Sequence, residues 1–393
     1  MSRVYLDHNA TTPLRPEARN AMIAAMDVMG NPSSVHAEGR AAKGLMEHAR
    51  TQVAGLVGCA PSQVIFTGSA TEAAALAVAQ KNQHGGVFAS LPTEHDCFTV
   101  WSDIELPSLY DKDGSVSAQG SSRFMNLIDS LAGQNRCADG DPVALVAVSA
   151  ANSETGVMLQ SRQIPPNGYR GASSDGAVPF SIVCDITQIA GKLPVLYDGE
   201  KRPAYMILSA HKLGGPKGVG ALINFTAKDP QPVLRGGGQE MGRRSGTENI
   251  VGIAGFGAAA EAAQRDLAAG RWEEIAELRK ILENTLAAGA KTTIFVGKGV
   301  NRLPNTSCFA TPGWKGETQV MQMDLAGFAV SAGSACSSGK VRASTVLRSM
   351  GFDDETASSA IRVSLGLDTT EQDVLRFADA WLAQERKFRA RAA

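Results

Sequence analysis

Lys212 closes the run Tyr205-Met-Ile-Leu-Ser-Ala-His-Lys212, which reads as a buried strand with Ser209, His211 and Lys212 at its mouth. A glycine-rich turn, Leu213-Gly-Gly-Pro-Lys-Gly-Val-Gly220, then leads into a second strand. A lysine on such a rigid stem can be desolvated, which lowers its proton affinity and makes the amine nucleophilic at neutral pH. That placement suits a Schiff base to an aldehyde; taken alone, a solvated strand-end lysine is the plainer reading. Upstream, Ser181-Ile-Val-Cys-Asp185 is a short apolar run that ends in an acid. A carboxylate there is costly unless it meets a cation, such as a protonated ring nitrogen. A helix N-cap is the alternative role for Asp185. Residues 63–80 run from strand through a small-residue turn, Gly68-Ser-Ala-Thr71, into a helix. Bare amides at a helix N-terminus attract phosphate, and a capping turn that includes Thr71 is the competing explanation.

A different chemistry is suggested by Cys336. Its setting, Ser331-Ala-Gly-Ser-Ala-Cys-Ser-Ser-Gly-Lys340, is almost wholly small residues, which predicts a mobile loop and a reachable thiol. The six cysteines (59, 97, 137, 184, 308 and 336) form no C-x-x-C pair, which argues against zinc and against a disulfide framework. Cys184 and Cys308 fall in apolar strands, where a thiol acts as a small hydrophobe.

These residues need a scaffold that presents strand ends to one place. A chain of 393 residues with 44% hydrophobic content can bury a large core and make two domains. From about residue 63 to 225 strands alternate with helices, the pattern of a mostly parallel sheet covered by helices. Periodicity predicts helices at 16–28, 36–57, 70–81, 251–268, 271–289 and about 371–390. A net charge of −1 and a pI of about 6.6 give no footprint for nucleic acid or an anionic membrane. No apolar run reaches spanning length and the N-terminus lacks a signal-peptide core, so the expected compartment is the cytoplasm.

In sequence order the chain resembles the class V, fold-type-I pyridoxal phosphate enzymes, and more narrowly the cysteine desulfurases of NifS and IscS type. The resemblance begins at Val4-Tyr-Leu-Asp-His-Asn-Ala-Thr-Thr-Pro13 and Gly30-Asn-Pro-Ser-Ser-Val-His36. It continues through Thr93-Glu-His-Asp96, Asp185-Ile-Thr-Gln188, Ser209-Ala-His-Lys212 and Gly236-Gly-Gly-Gln-Glu240. It closes with Arg243-Arg-Ser-Gly-Thr-Glu-Asn249, Ser331-Ala-Gly-Ser-Ala-Cys-Ser-Ser338 and Ser359-Ala-Ile-Arg-Val-Ser-Leu-Gly366. It implies a large α/β domain, residues 14–261, built on a mostly parallel seven-stranded sheet. A small α+β domain, 1–13 and 262–393, would carry the mobile cysteine loop at about 328–342.

The resemblance also implies roles. Lys212 would hold pyridoxal 5'-phosphate and move the substrate Cα proton, while Asp185 keeps the ring nitrogen protonated. His95 would stack on the ring and handle the substrate thiol proton, and Gln188 and Ser153 would face the phenolic oxygen. Phosphate contacts would come from Ala70, Thr71, Ser209 and His211, with Thr247 supplied by the other subunit of a homodimer. Arg362 would clamp the carboxylate of L-cysteine, with Asn152 beside it; a guanidinium fork suits that task. The Cys336 thiolate would take the sulfur as a persulfide and leave L-alanine. A sulfur-acceptor protein, such as an iron–sulfur scaffold, is the implied partner. Cysteine or selenocysteine lyase or aminotransferase chemistry without Cys336, and a diverged non-catalytic paralogue, are the alternatives.

Several positions depart from the family pattern. Ser153 stands where a second asparagine is usual, Gly68-Ser69 reverses a Ser-Gly turn, and Ala74-Ala75 replaces a polar pair. Met241 takes the place of a basic residue, and segment 160–180 is unlike the family's helix.

Overall fold

The computed structural model describes residues 3–134, 142–159, 180–197, 202–333 and 343–392. Cys336, Cys137, most of the cysteine loop and most of segment 160–180 lie outside the described residues.

Apolar runs of four or five residues make the strands of the central sheet. Val64–Thr67, Tyr205–Ser209 and Gly220–Asn224 are buried at every position, as expected when helices cover both faces. Among the described residues this sheet has seven strands, ordered Val64–Thr67, Gly220–Asn224, Tyr205–Ser209, Ser181–Asp185, Leu145–Ser149, Phe88–Ser90 and Ile104–Glu105. All neighbours are parallel except Gly220–Asn224, which runs against both of its own. The expected seven-stranded, mostly parallel sheet is therefore present.

Helices form where predicted, with ends set by local chemistry. Ala37–Val57 starts at His36, whose ring accepts the Gly39 amide, and stops at Gly58 with φ 77°. That left-handed angle is inexpensive only for glycine, and the Gly58 amide returns to the Ala54 carbonyl. The helix predicted at 70–81 ends at Val78 and gives way to a short 3-10 turn, Lys81–Gln83. Ile250–Ala268 lies against both Pro16–Met26 and Ala37–Val57. Small residues permit that approach, since a Cβ on Gly257 would stand 2.6 Å from the Ala49 Cα. The helix Ile250–Ala268 also runs through the expected domain boundary at 261.

A second, antiparallel sheet orders Ser331–Ala332, Ala360–Ser364, Thr306–Ala310 and Ile294–Phe295. Helices Arg271–Gly289 and Glu371–Ala392 pack together beside it. Its core gathers Trp272, Phe309, Trp314, Phe377 and Trp381 with Val4 and Leu6 from the N-terminus. The first residues are thus tied to the last third of the chain. Val4–Tyr5 pairs with Phe328–Ala329, and the amides of His8 and Asn9 donate to the Ser364 carbonyl and hydroxyl.

Candidate active site

In an open parallel sheet, side chains that end neighbouring strands converge at the carboxyl edge, where ligands bind. Here Ser149 and Asp185 are register neighbours, and Ser209 faces Gly220. Above them lies a cavity of about 270 Å³ whose lining includes Asn9, Thr71, His95, Asp185, Lys212 and Arg362. Residues separated by more than 350 positions thus share one space.

Lys212 sits on a 3-10 turn, Ala210–Lys212, directly after its strand. Its Nζ donates to the carbonyls of Asn9 at 2.6 Å and Ala10 at 2.8 Å. Thr12 fastens the turn from the other side, with its hydroxyl on the Lys212 carbonyl and its amide on that of His211. The His211 Nδ1 meets the Thr11 hydroxyl at 3.1 Å. Burial, helped by the nearby lysines 212 and 217, lowers His211 to about 4, so the ring is neutral at pH 7.

The phosphate-type turn adopts ordinary backbone angles despite its reversed Gly-Ser order. Ser69 is fully extended (φ −172°, ψ 170°) and its hydroxyl caps Ala70–Val78 by accepting the Glu72 amide. A close approach lies underneath, where a Cβ on Gly220 would fall 2.6 Å from the Ser69 carbonyl carbon. Ala70, Thr71 and Ser209 all line the cavity. Ala74 is buried against the sheet, so a polar group there would need its own hydrogen bonds. Thr247 is exposed and lines a separate small cavity with Gly68 and Gly218. Its loop is held by Glu240, whose carboxylate takes both Arg50 amino groups (2.8 and 2.7 Å) and the Phe66 amide. Glu240 and the exposed Met241 adopt left-handed angles (φ 49° and 59°) that non-glycine residues hold only under such restraint.

Asp185 lines the cavity and also accepts the Thr187 amide at 2.8 Å. Beside it Glu94 is buried, accepting both the amide and the hydroxyl of Ser149. Burial pushes Glu94 up to about 7, with Asp185 adding to the rise. Gln188 donates to the Asn9 carbonyl at 3.0 Å, and its oxygen accepts from the buried Lys192 at 3.0 Å.

His95 N-caps the short helix Asp96–Thr99, its Nδ1 accepting the Cys97 amide at 3.1 Å. A nitrogen that accepts an amide proton carries none itself, so the neutral ring holds its proton on Nε2. Asn152 spends its side chain on a turn. Its nitrogen donates to the Thr93 carbonyl, and its oxygen accepts the Glu154 and Thr155 amides. Ser153 lines the cavity, and its carbonyl accepts from Asn9 and from Arg362 at 3.0 Å. Arg362 also pairs with Asp7 at 2.8 Å, leaving its buried Nε with no acceptor among the described residues.

The cavity therefore joins Lys212, His95, Asp185, Gln188, Ser153, Asn152, Arg362, Ser209, His211, Ala70 and Thr71, and excludes Thr247. Asn9, Glu94 and Lys192 were given no role from sequence. Asn9 and Glu94 lay within quoted motifs, but only contacts from distant segments reveal their use.

Residues 4–377 match the family Aminotransferase class-V. The chain belongs to that family. Family members are pyridoxal phosphate enzymes, and this chain is one of its α/β enzymes. It is 37% identical to a cysteine desulfurase of Klebsiella pneumoniae, across 95% of this chain and 90% of that one. A cysteine desulfurase of Cereibacter sphaeroides is 36% identical, with 96% and 95% covered. The IscS-like cysteine desulfurase of Mycobacterium tuberculosis is 33% identical, with 94% and 93% covered. The crystal structure of a NifS-like protein from Rickettsia africae superposes with a TM-score of 0.81 at 29% identity, over 97% of this chain and 99% of that one.

Proposed function

We propose that this class-V aminotransferase is a cysteine desulfurase that converts L-cysteine to L-alanine and holds the sulfur as a persulfide on Cys336. The observation that carries the reading is the convergence of Lys212, Asp185, His95 and Arg362 on one cavity with a helix N-terminus at its far wall. Those residues fit pyridoxal 5'-phosphate by the chemistry of their donors and acceptors. Lys212 offers an amine held at two carbonyls, Asp185 a carboxylate for the ring nitrogen, and the 69–71 turn the amides of a nine-residue helix for phosphate. When bound, the cofactor supplies an electron sink for the bonds broken at the substrate.

The rest is done by the protein. Lys212 holds the cofactor and then, as a free amine, moves the Cα proton. Asp185 keeps a proton on the ring nitrogen. His95, with Nε2–H in place, donates a hydrogen bond to the substrate sulfur. Arg362, already oriented by Asp7 and Ser153, binds the substrate carboxylate. The Cys336 thiolate forms a sulfur–sulfur bond as the carbon–sulfur bond of the substrate breaks, and the electron pair stays with the carbon fragment that becomes alanine.

In this reading a homodimer brings Thr247 to the neighbouring subunit's phosphate site. Its exposure, with the exposed apolar Met241, Val233 and Leu234 nearby in sequence, supports that arrangement. The division at 14–261 and at 1–13 with 262–393 is part of the same proposal, supported by the separate core around Trp381. A sulfur-acceptor protein is the proposed partner and the cytoplasm the proposed compartment. Among the described residues no helix is long and apolar enough to cross a membrane.

The test is alanine and sulfide release from L-cysteine, with pyridoxal phosphate and a thiol reductant, by wild type and Cys336→Ser. Equimolar products from wild type and background levels from the variant are expected. Equal activity in both would move the chemistry to a Cys336-independent lyase, and no product from either would favour a non-catalytic paralogue.

A further inference from the structure

Lys192 stands in Gly191-Lys-Leu-Pro194, a composition typical of exposed turns, yet it is only 2% exposed. Burying an amine is expensive unless its hydrogen bonds are met. Here Nζ donates to the Gln188 side-chain oxygen at 3.0 Å and to the Asn9 side-chain oxygen at 3.2 Å. In its protonated form the amine has donors only, so any group facing that form must present an acceptor. The Gln188 amide therefore turns its oxygen towards Lys192. Its nitrogen is left facing the opposite way, where it donates to the Asn9 carbonyl that also holds Lys212. A flipped amide would set NH₂ against an ammonium and oxygen against a carbonyl, losing both contacts.

We propose that Lys192 is a positioning residue that locks the Gln188 amide with its nitrogen on the cavity side, so that the cavity presents a donor to the cofactor's phenolic oxygen. Lys192 acts through Gln188 and Asn9 and does not line the cavity itself. The inference rests on the cofactor assignment made above. A second effect accompanies the geometry. Burial, with Lys212 and Arg362 nearby, lowers the Lys192 amine to about 7, and an anionic occupant of the cavity would favour its ammonium form.

The experiment is a double-mutant cycle with Lys192→Met, Gln188→Ala and the pair, read as the dissociation constant for pyridoxal phosphate and as the position of its visible absorption band. Each single variant is expected to weaken binding about fivefold, the equivalent of one neutral hydrogen bond. Each should also move the band, and the double variant should look like either single one. Lys192→Gln, which retains an NH₂ donor group, should fall between wild type and Lys192→Met, and it serves if Lys192→Met does not fold. An unchanged band and affinity in the Lys192 variants, or a double variant showing the product of the two single effects, would overturn the inference. Wild type that gains no band would bring down the cofactor assignment, and this inference with it.

Discussion

The carboxyl edge of the central sheet and the core around Trp381 bury side chains for opposite ends. At the sheet edge the buried groups are Lys192, Glu94, Arg362 and Asn9, with proton affinities displaced at Lys192 and Glu94. The Arg362 Nε has no acceptor among the described residues. Around Trp381 the burial is aromatic: Phe309 meets it edge-on at 5.4 Å, and Trp314 packs against it at 5.3 Å. The Trp381 indole N–H is satisfied by Gln319 at 3.0 Å and that of Trp272 by the Gly191 carbonyl at 2.7 Å. Polar burial costs free energy and apolar burial supplies it, so the second region offsets the cost of the first.

Variants should therefore separate activity from stability. The largest effect is expected from Lys212→Ala, with alanine production from L-cysteine falling at least about a thousandfold while the thermal midpoint holds or rises. A large drop in the midpoint would make Lys212 a structural element and erase the contrast. Trp381→Ala is expected to cost about 3–5 kcal/mol in denaturant unfolding, with turnover per folded molecule retained. Turnover lost at full stability would show that this core reaches the chemistry. For Arg362→Lys, which keeps the charge but loses the fork, kcat/KM should drop roughly ten- to a hundredfold. An unchanged kcat/KM would free Arg362 from substrate binding.

The smallest effect concerns pH. Glu94 binds its proton more tightly in the fold, up to about 7 from 4.5. Its contribution to stability is whole below the unfolded value and fades as pH rises through the folded one. Glu94→Gln, which never ionises, should gain in thermal midpoint over wild type between about pH 5 and pH 8. A constant gap across that range would mean that the carboxylate ionises without cost.

Much of this contrast could be read from the chain itself. Strand-to-turn patterns placed Lys212, Asp185 and Thr71 together because each follows a buried run, and strand ends in a parallel sheet share an edge. Helix positions followed from periodicity, and errors appeared at ends set by a cap or a 3-10 turn, as at Val78. Lys192 was invisible because a lysine in a Gly-Lys-Leu-Pro turn looks solvated until segment 5–12 folds over it. Asn152, assigned to substrate, lines the cavity, and the further use of its amide in holding the turn it begins could not be read from the sequence. The Gly68-Ser69 reversal leaves Ser69 extended, where it serves as a cap.

The stitching of the first residues to the last strands sets an order of events during synthesis. Asn9, whose carbonyl holds Lys212, is itself fixed by Ser364, 355 residues later. With translation adding about 5–20 residues per second, that segment waits roughly 20–70 s for its anchor. The ribosome makes one wall of the catalytic chamber first, and the chamber closes only once Ser364 has emerged to meet it.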